Sequence, residues 1–295
     1  MTHSPPTTVS AAPIRGIAYM VFAMFLLTVG DALTKWVGTH LPVGQVIFFR
    51  ALFIYIPIVF IIHRSGGLAV LRVTDRKGLI IRSLFYVSAT ATISTSMILL
   101  PLADAVALLF AGPLFVTALA TPMLGEHVGW RRWAAVTAGF AGVVIMLRPT
   151  PDAIQILAIL PIVAALFSAL RDVTTRRISA TENSTAIMFW SNALLLVGAA
   201  CSAPFGWEPM GFDDLWQLAL MGIIVGIAHW VMIEAFRLGE AALVAPFKYT
   251  GIVWGTLFGY LFWHTVPDAF ILTGGALVVA SGLYILHRET RARSD

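Results

Sequence analysis

Ionisable side chains recur in this chain inside apolar runs, at spacings that a helix turns into pairs. Asp31 and Lys35 stand four residues apart in Gly30-Asp31-Ala32-Leu33-Thr34-Lys35, and Arg50 closes Phe48-Phe49-Arg50 inside the next apolar run. A faint copy lies 141 residues on, where Asp172 and Arg176 replace Asp31 and Lys35 and Phe189-Trp190-Ser191 replaces Phe48-Phe49-Arg50. An acid four residues before a base is the favoured order on a helix. One reading is a self-neutralised pair that lets each helix end carry charge. The other follows from position: Asp31 falls near the outer end of a first helix and Asp172 near the inner end of a sixth, so the two can serve alternating gates.

Charge inside an apolar run costs about 2.5–3.5 kcal/mol on membrane-insertion scales, which makes each such residue a functional candidate. Lys248 lies roughly 12 Å into its run at 1.5 Å per residue, beyond the reach of a lysine stem to the surface. It therefore faces a wet cavity or an acid on another helix. Arg50 lies about two turns from the outer surface, where snorkelling competes with a site role. Arg82, near the start of a third helix, reads as an interface anchor. Glu234 and His229 are five residues apart, so they point in different directions on a helix; Glu234 is within reach of Arg171 or Arg237. His229, beside Trp230, is a proton carrier or a hydrogen-bonded interior group.

The solvent for these charges follows from composition. Of 295 residues, 59% are hydrophobic and 12% charged, about half the charge of an ordinary soluble domain, and mean hydropathy is +0.87. Apolar runs near 20 residues repeat along the chain, so lipid is the expected solvent. The single cysteine, Cys201, excludes a disulfide framework and a thiolate metal cluster. A net charge of +4 fits basic cytoplasmic loops better than a nucleic-acid surface.

Ten segments emerge, at 15–36, 43–63, 79–100, 103–124, 131–148, 154–175, 185–205, 215–236, 241–263 and 269–287. None alternates with a period of two, so all are expected to be helices, the open-ended structure that satisfies its own backbone in lipid. Fourteen Lys and Arg, Arg171 among them, fall at the membrane surface on the side of the N-terminus, against Lys35 and Arg148 opposite, which puts both termini in the cytoplasm. Leu102-Ala103-Asp104-Ala105 resembles Leu238-Gly239-Glu240-Ala241 at an offset of 136. Each repeat holds five helices, an odd number, so the second is inserted upside down. The expected architecture is an all-α integral membrane protein of ten transmembrane helices in two inverted five-helix repeats, 15–148 and 154–288, with tails at 1–14 and 289–295. Gly222-x-x-x-Gly226 and Gly251-x-x-x-Gly255-x-x-x-Gly259 offer close-packing faces, and the glycines of the fifth and tenth helices suit a buttress.

The order and spacing of Asp31-x-x-x-Lys35, Phe48-Phe49-Arg50, Gly139-Phe140-Ala141-Gly142, Met146-Leu147-Arg148-Pro149, Leu170-Arg171-Asp172 and Ala245-Pro246-Phe247-Lys248-Tyr249 resemble the drug/metabolite transporter superfamily, EamA type. Within it the likeness is to bacterial transporters for riboflavin and for S-adenosylmethionine. One departure is Trp263-His264, where the second repeat lacks the acid of Gly125-Glu126. The resemblance implies a secondary transporter in the cell membrane that moves a small organic metabolite. Riboflavin or a related heterocycle comes first, S-adenosylmethionine or an exported amino acid second. Lys248, Tyr249 and Arg50 would supply charge and hydrogen bonds, and Phe49, Trp230 and Trp254 would stack on a planar ring.

A membrane-embedded transferase is the main alternative from another class, but HExxH, a Cys/His cluster and a glycine-rich phosphate loop are missing from the sequence. Scattered, unequal charges also differ from the rings of a selective ion pore. The expected partners are a small-molecule substrate and the lipid bilayer, without nucleic acid; a homodimer is compatible with the chain. No cofactor and no metal are expected.

Overall fold

The computed structural model describes residues 11–125, 129–147, 156–239, 244–265 and 268–292. Glu126, Arg148, Glu240 and the first ten residues of the expected N-terminal tail lie outside them. The described residues form no strand. The α-helices are α1 (Ala11–Val37), α2 (Val43–Arg64), α3 (Arg76–Leu99), α4 (Leu102–Leu109), α5 (Ala111–Leu124), α6 (Trp130–Leu147), α7 (Ile156–Ile178), α8 (Ser184–Ala200), α9 (Phe212–Leu238), α10 (Thr250–Trp263) and α11 (Ala269–Ala292). α1 therefore begins four residues before the expected first span, and α11 runs four residues into the expected C-terminal tail.

Among the described residues, six stretches are long and apolar enough to cross a membrane: Ile14–Val37, Val43–Arg64, Asp104–Leu124, Leu157–Ile178, Ser184–Phe205 and Phe212–Leu238. This is a multi-span membrane protein. Its outer surface fits that solvent, since Phe60, Val197 and Val253 are 61, 63 and 62% exposed, while the polar groups turn inward. α3 is the clearest case. Its hydroxyls fold back on the helix, Ser83 donating to the Leu79 carbonyl at 2.7 Å, Thr95 to Ala91 at 2.8 Å and Ser96 to Thr92 at 2.7 Å. Such bonds hide the donors without breaking the helix, so a helix polar in composition can pack in the interior against α7 and α8.

Two helices expected to be continuous are interrupted. The segment expected at 103–124 divides at Phe110, whose N–H reaches back three residues to Ala107 at 3.1 Å. Pro113 follows and has no N–H to offer the carbonyl of Leu109. Within the segment expected at 241–263, the described residues include a 3₁₀ turn, Ala245–Tyr249, that contains Pro246 and Lys248 and precedes α10. Both breaks face the interior.

Packing pairs α1 with α9, α3 with α7, α2 with α8 and α6 with α11. Glycine sets the approach at two of these seams. A Cβ on Gly142 would lie 2.6 Å from the Gly274 carbonyl oxygen, so α6 and α11 touch backbone to backbone, as expected of a buttress. Between α9 and α2, a Cβ on Gly222 would lie 2.8 Å from the Arg50 carbonyl oxygen. Gly222→Leu should therefore push α2 outward and lower both thermal stability and transport; an unchanged melting temperature in detergent would show that the seam is loose.

Glu182 ties the loop before α8 to the start of α3. Its carboxylate is buried and accepts from the N–H groups of Thr74 at 3.0 and 3.1 Å and of Asp75 at 2.7 Å. Asp75 in turn caps α3 by accepting from Gly78 N–H at 2.8 Å. Bonds to a charged acceptor contribute roughly 1.5–3 kcal/mol each, and removing the acceptor strands buried donors. Glu182→Ala should lower the thermal midpoint in detergent by several degrees, which a melting series checks directly.

Candidate functional site

One cavity of about 110 Å³ collects most of the buried charge. Asp31 enters it from α1, Arg50 from α2, Arg171 from α7, His229 from α9 and Lys248 from the 3₁₀ turn before α10. The break in α4–α5 supplies Phe110 and Gly112 to the same wall. Both helix breaks thus meet at one cavity.

Within it, charge is arranged unevenly. Asp172, 1% exposed, bridges two cations. Its Oδ1 accepts from Arg171 Nε at 2.9 Å and pairs with Nη2 at 2.8 Å, while Oδ2 pairs with Lys248 Nζ. Both oxygens are engaged. Lys248 also lies 5.6 Å from the centre of the Phe236 ring, and Arg171 Nη2 reaches the Met232 sulfur at 3.9 Å. Asp31 has no such clamp: among the described residues none hydrogen-bonds to it or forms an ion pair with it, and Arg50 acts on it only at longer range. Arg50 is 6% exposed and its Nε has no hydrogen-bond partner; Ser168 Oγ on the same wall is likewise unpartnered. His229 sets its ring edge-on to Tyr86 at 5.2 Å.

These positions differ from the sequence expectations in several ways. Neither helix pair closes on itself. Lys35 Nζ donates to the carbonyls of Leu100 at 2.7 Å and Met97 at 3.4 Å, at the end of α3. Arg176 Nη1 donates to the carbonyls of Phe236 at 3.2 Å and Arg237 at 3.4 Å, at the end of α9. The last carbonyls of a helix have no partner within it and carry its negative end, so a long cation nearby finds better acceptors there than one turn back. Asp31 and Asp172 are also not separated to opposite ends: Asp31 lines the cavity and Asp172 is bonded to two of its lining cations.

Arg82 is not an interface anchor. It is 1% exposed, donates through Nε to Thr175 Oγ1 at 3.1 Å and stacks 5.2 Å from the Tyr86 ring centre. It faces inward because it lies on the side of α3 that packs against α7, opposite the exposed Ile80 and Leu84. Arg171, counted among the loop charges, is 5% exposed and lines the cavity. Glu234 pairs with Arg237 at 3.8 Å, the nearer of its two expected partners.

Of the aromatic candidates, Phe49 packs on Phe48 and Trp207, Trp254 sits edge-on to Phe25 at 5.0 Å, and Trp230 joins the apolar core. Tyr249 is 5% exposed against Phe110 at 5.9 Å. None of the four is on the cavity wall, where Phe110 is the one Phe, Tyr or Trp among the described residues. Arg171, Ser168 and Gly112 are wall residues that sequence reasoning passed over. Only Arg171 had a signal, in its place beside Asp172.

A charged interior cavity in an all-helical membrane protein, at the meeting of two broken helices, is the arrangement of a small-molecule transporter. Sequence comparison agrees. The profile of the EamA-like transporter family matches residues 14–148 and again 155–287, and the chain belongs to that family. It is 28% identical over 293 residues to a riboflavin transporter of Rhizobium johnstonii, covering 97% of this chain and 96% of that one. It is 24% identical over 286 residues to an S-adenosylmethionine uptake transporter of Rickettsia prowazekii, covering 96% of each. A pseudopaline exporter of Pseudomonas aeruginosa is 27% identical over 274 residues, or 90% of this chain and 94% of that one. A solved crystal structure with 20% identity superposes with a TM-score of 0.70 over 95% of this chain and 98% of the other, so the two share a fold.

Proposed function

We propose that the chain is a secondary transporter of the cell membrane that carries a small organic metabolite through the Asp31–Lys248 cavity by alternating access between two inverted five-helix repeats. The single observation behind it is the cavity itself, small in this conformation and walled by the buried cations Arg50, Arg171 and Lys248. Ligand pockets commonly span about 300–1,000 Å³, so a cargo the size of a flavin or a nucleoside enters only when the helices part.

Several features support the repeat. Asn192 Nδ2 donates to the Ala51 carbonyl at 2.8 Å, and these residues are 141 apart, the repeat offset itself. A residue can touch its own counterpart only beside the axis relating the two units, here between α2 and α8. Lys35 and Arg176, also counterparts, each cap the third helix of their own unit. Gly112 and Lys248, 136 residues apart, stand at the two helix breaks on one wall. Interrupted helices at matching places in two halves are the usual mark of a transporter's binding region. With ten crossings and the basic residues gathered on one side, both termini are cytoplasmic.

Riboflavin and S-adenosylmethionine, the cargoes named for two relatives, are the first candidates. Purified protein in proteoliposomes should take up one of them saturably, above empty liposomes and in response to an imposed gradient. If neither these nor other labelled metabolites enter above the empty-liposome level, the transporter reading fails.

A further inference from the structure

The two halves of the cavity differ at one point. In the second half, Asp172 is clamped by Arg171 and Lys248. In the first half, its counterpart Asp31 has Gly30 and Gly112 where those two cations would stand. The place beside Gly30 is closed, because a Cβ there would collide with the Val225 side chain. The place beside Gly112 is open: a Cβ would find no atom nearer than the Ala165 carbonyl oxygen at 4.0 Å. The first half therefore keeps the acid and leaves room for the missing cation. Across the same space, Arg50 is buried with Nε unpartnered, and Ser168 Oγ on the same wall also has no partner. A half-buried carboxylate and a buried guanidinium that face one cavity without pairing leave charge uncompensated unless something joins them.

We infer that the cavity recognises the α-amino-acid end of its cargo, the ammonium on Asp31 in the space beside Gly112, where the cargo takes the part that Lys248 plays for Asp172, and the carboxylate on Arg50 Nε. This deepens the transporter reading and rests on it for the equivalence of the two halves. It divides the two candidate cargoes: S-adenosylmethionine carries such an end and riboflavin does not.

The test is equilibrium binding to the unaltered, detergent-purified protein, which needs neither transport nor a variant. The probes are S-adenosylhomocysteine against 5′-methylthioadenosine, a thioether like it that lacks the amino-acid end, L-methionine against 3-(methylthio)propylamine, which lacks the carboxylate, and riboflavin. At least one amino-acid-ended probe should bind tenfold or more tightly than its truncated counterpart. Gly112→Lys, which supplies the cation from the protein, should weaken that probe by a similar factor. Equal binding within each pair, no binding of either amino-acid-ended probe, or riboflavin as the sole ligand overturns the assignment. Saturable riboflavin uptake by the same preparation would leave the transporter reading standing, whereas selective binding without uptake of any bound probe would remove that reading and keep the site.

Discussion

Lys248→Met is expected to reduce uptake in proteoliposomes by at least about a hundredfold, equivalent to roughly 2.7 kcal/mol or more of lost stabilisation along the transport cycle, while the protein stays folded. The fold should survive because Asp172 keeps Arg171, which holds its Oδ1 through both Nε and Nη2. No buried charge is stranded, and methionine fills most of the volume of the lysine stem. Function should not survive, because Lys248 joins the turn before α10 to α7 at the cavity wall and supplies part of the positive field that draws a carboxylate inward. Size-exclusion behaviour and a melting curve near wild type would verify folding. Near-normal uptake by such a protein would remove Lys248 from the pathway.

Asp172→Asn acts in the opposite sense and should be the most destabilising single change at the site. It leaves Arg171 and Lys248 side by side and buried without their shared anion, with Arg82 close enough to add repulsion. Breaking a buried pair from one side costs about 3–5 kcal/mol. A sharp fall in thermal midpoint and in yield is expected. Adding Lys248→Met to Asp172→Asn removes one of the stranded cations, so the double variant should melt above the Asp172→Asn single variant even though both are inactive. Such non-additivity is the signature of direct coupling. A double variant less stable than either single would show that the clamp does not hold the two residues as the geometry indicates.

How much of this could be read from the residues depends on what each bonds to. Lys248 and Asp31 were legible because charge in an apolar run is costly wherever it points, so its presence alone marks a site. The partners were not. Lys35 and Arg176 stand one turn from acids, yet they bond to carbonyls 65 and 60 residues away, and free carbonyls at a helix end leave no trace in side-chain identity. Arg171 was assigned to the membrane surface because position along a helix gives depth, whereas exposure depends on which neighbour covers that face. The same gap applies to Phe49, Trp230 and Trp254, since aromatic character serves a binding wall and a packed interior equally well. The breaks at Phe110 and Ala245–Tyr249 had a visible cause in Pro113 and Pro246. A proline near a helix start is tolerated as often as it breaks the helix, so composition alone left both segments continuous. The repeat offset, by contrast, was legible in a handful of residues, and it is what makes Gly112 meaningful as the counterpart of Lys248.

Alternating access to this one cavity is best tested by thiol labelling of Ser168→Cys in a Cys201→Ser background, which leaves no other cysteine in the chain. Ser168 is 8% exposed and lines the cavity. A membrane-impermeant reagent applied to oriented vesicles should reach position 168 slowly from either face, and bound cargo should block labelling from both. Labelling from one face alone, or labelling that cargo leaves unchanged, would contradict a central cavity opened in turn to the two sides of the membrane.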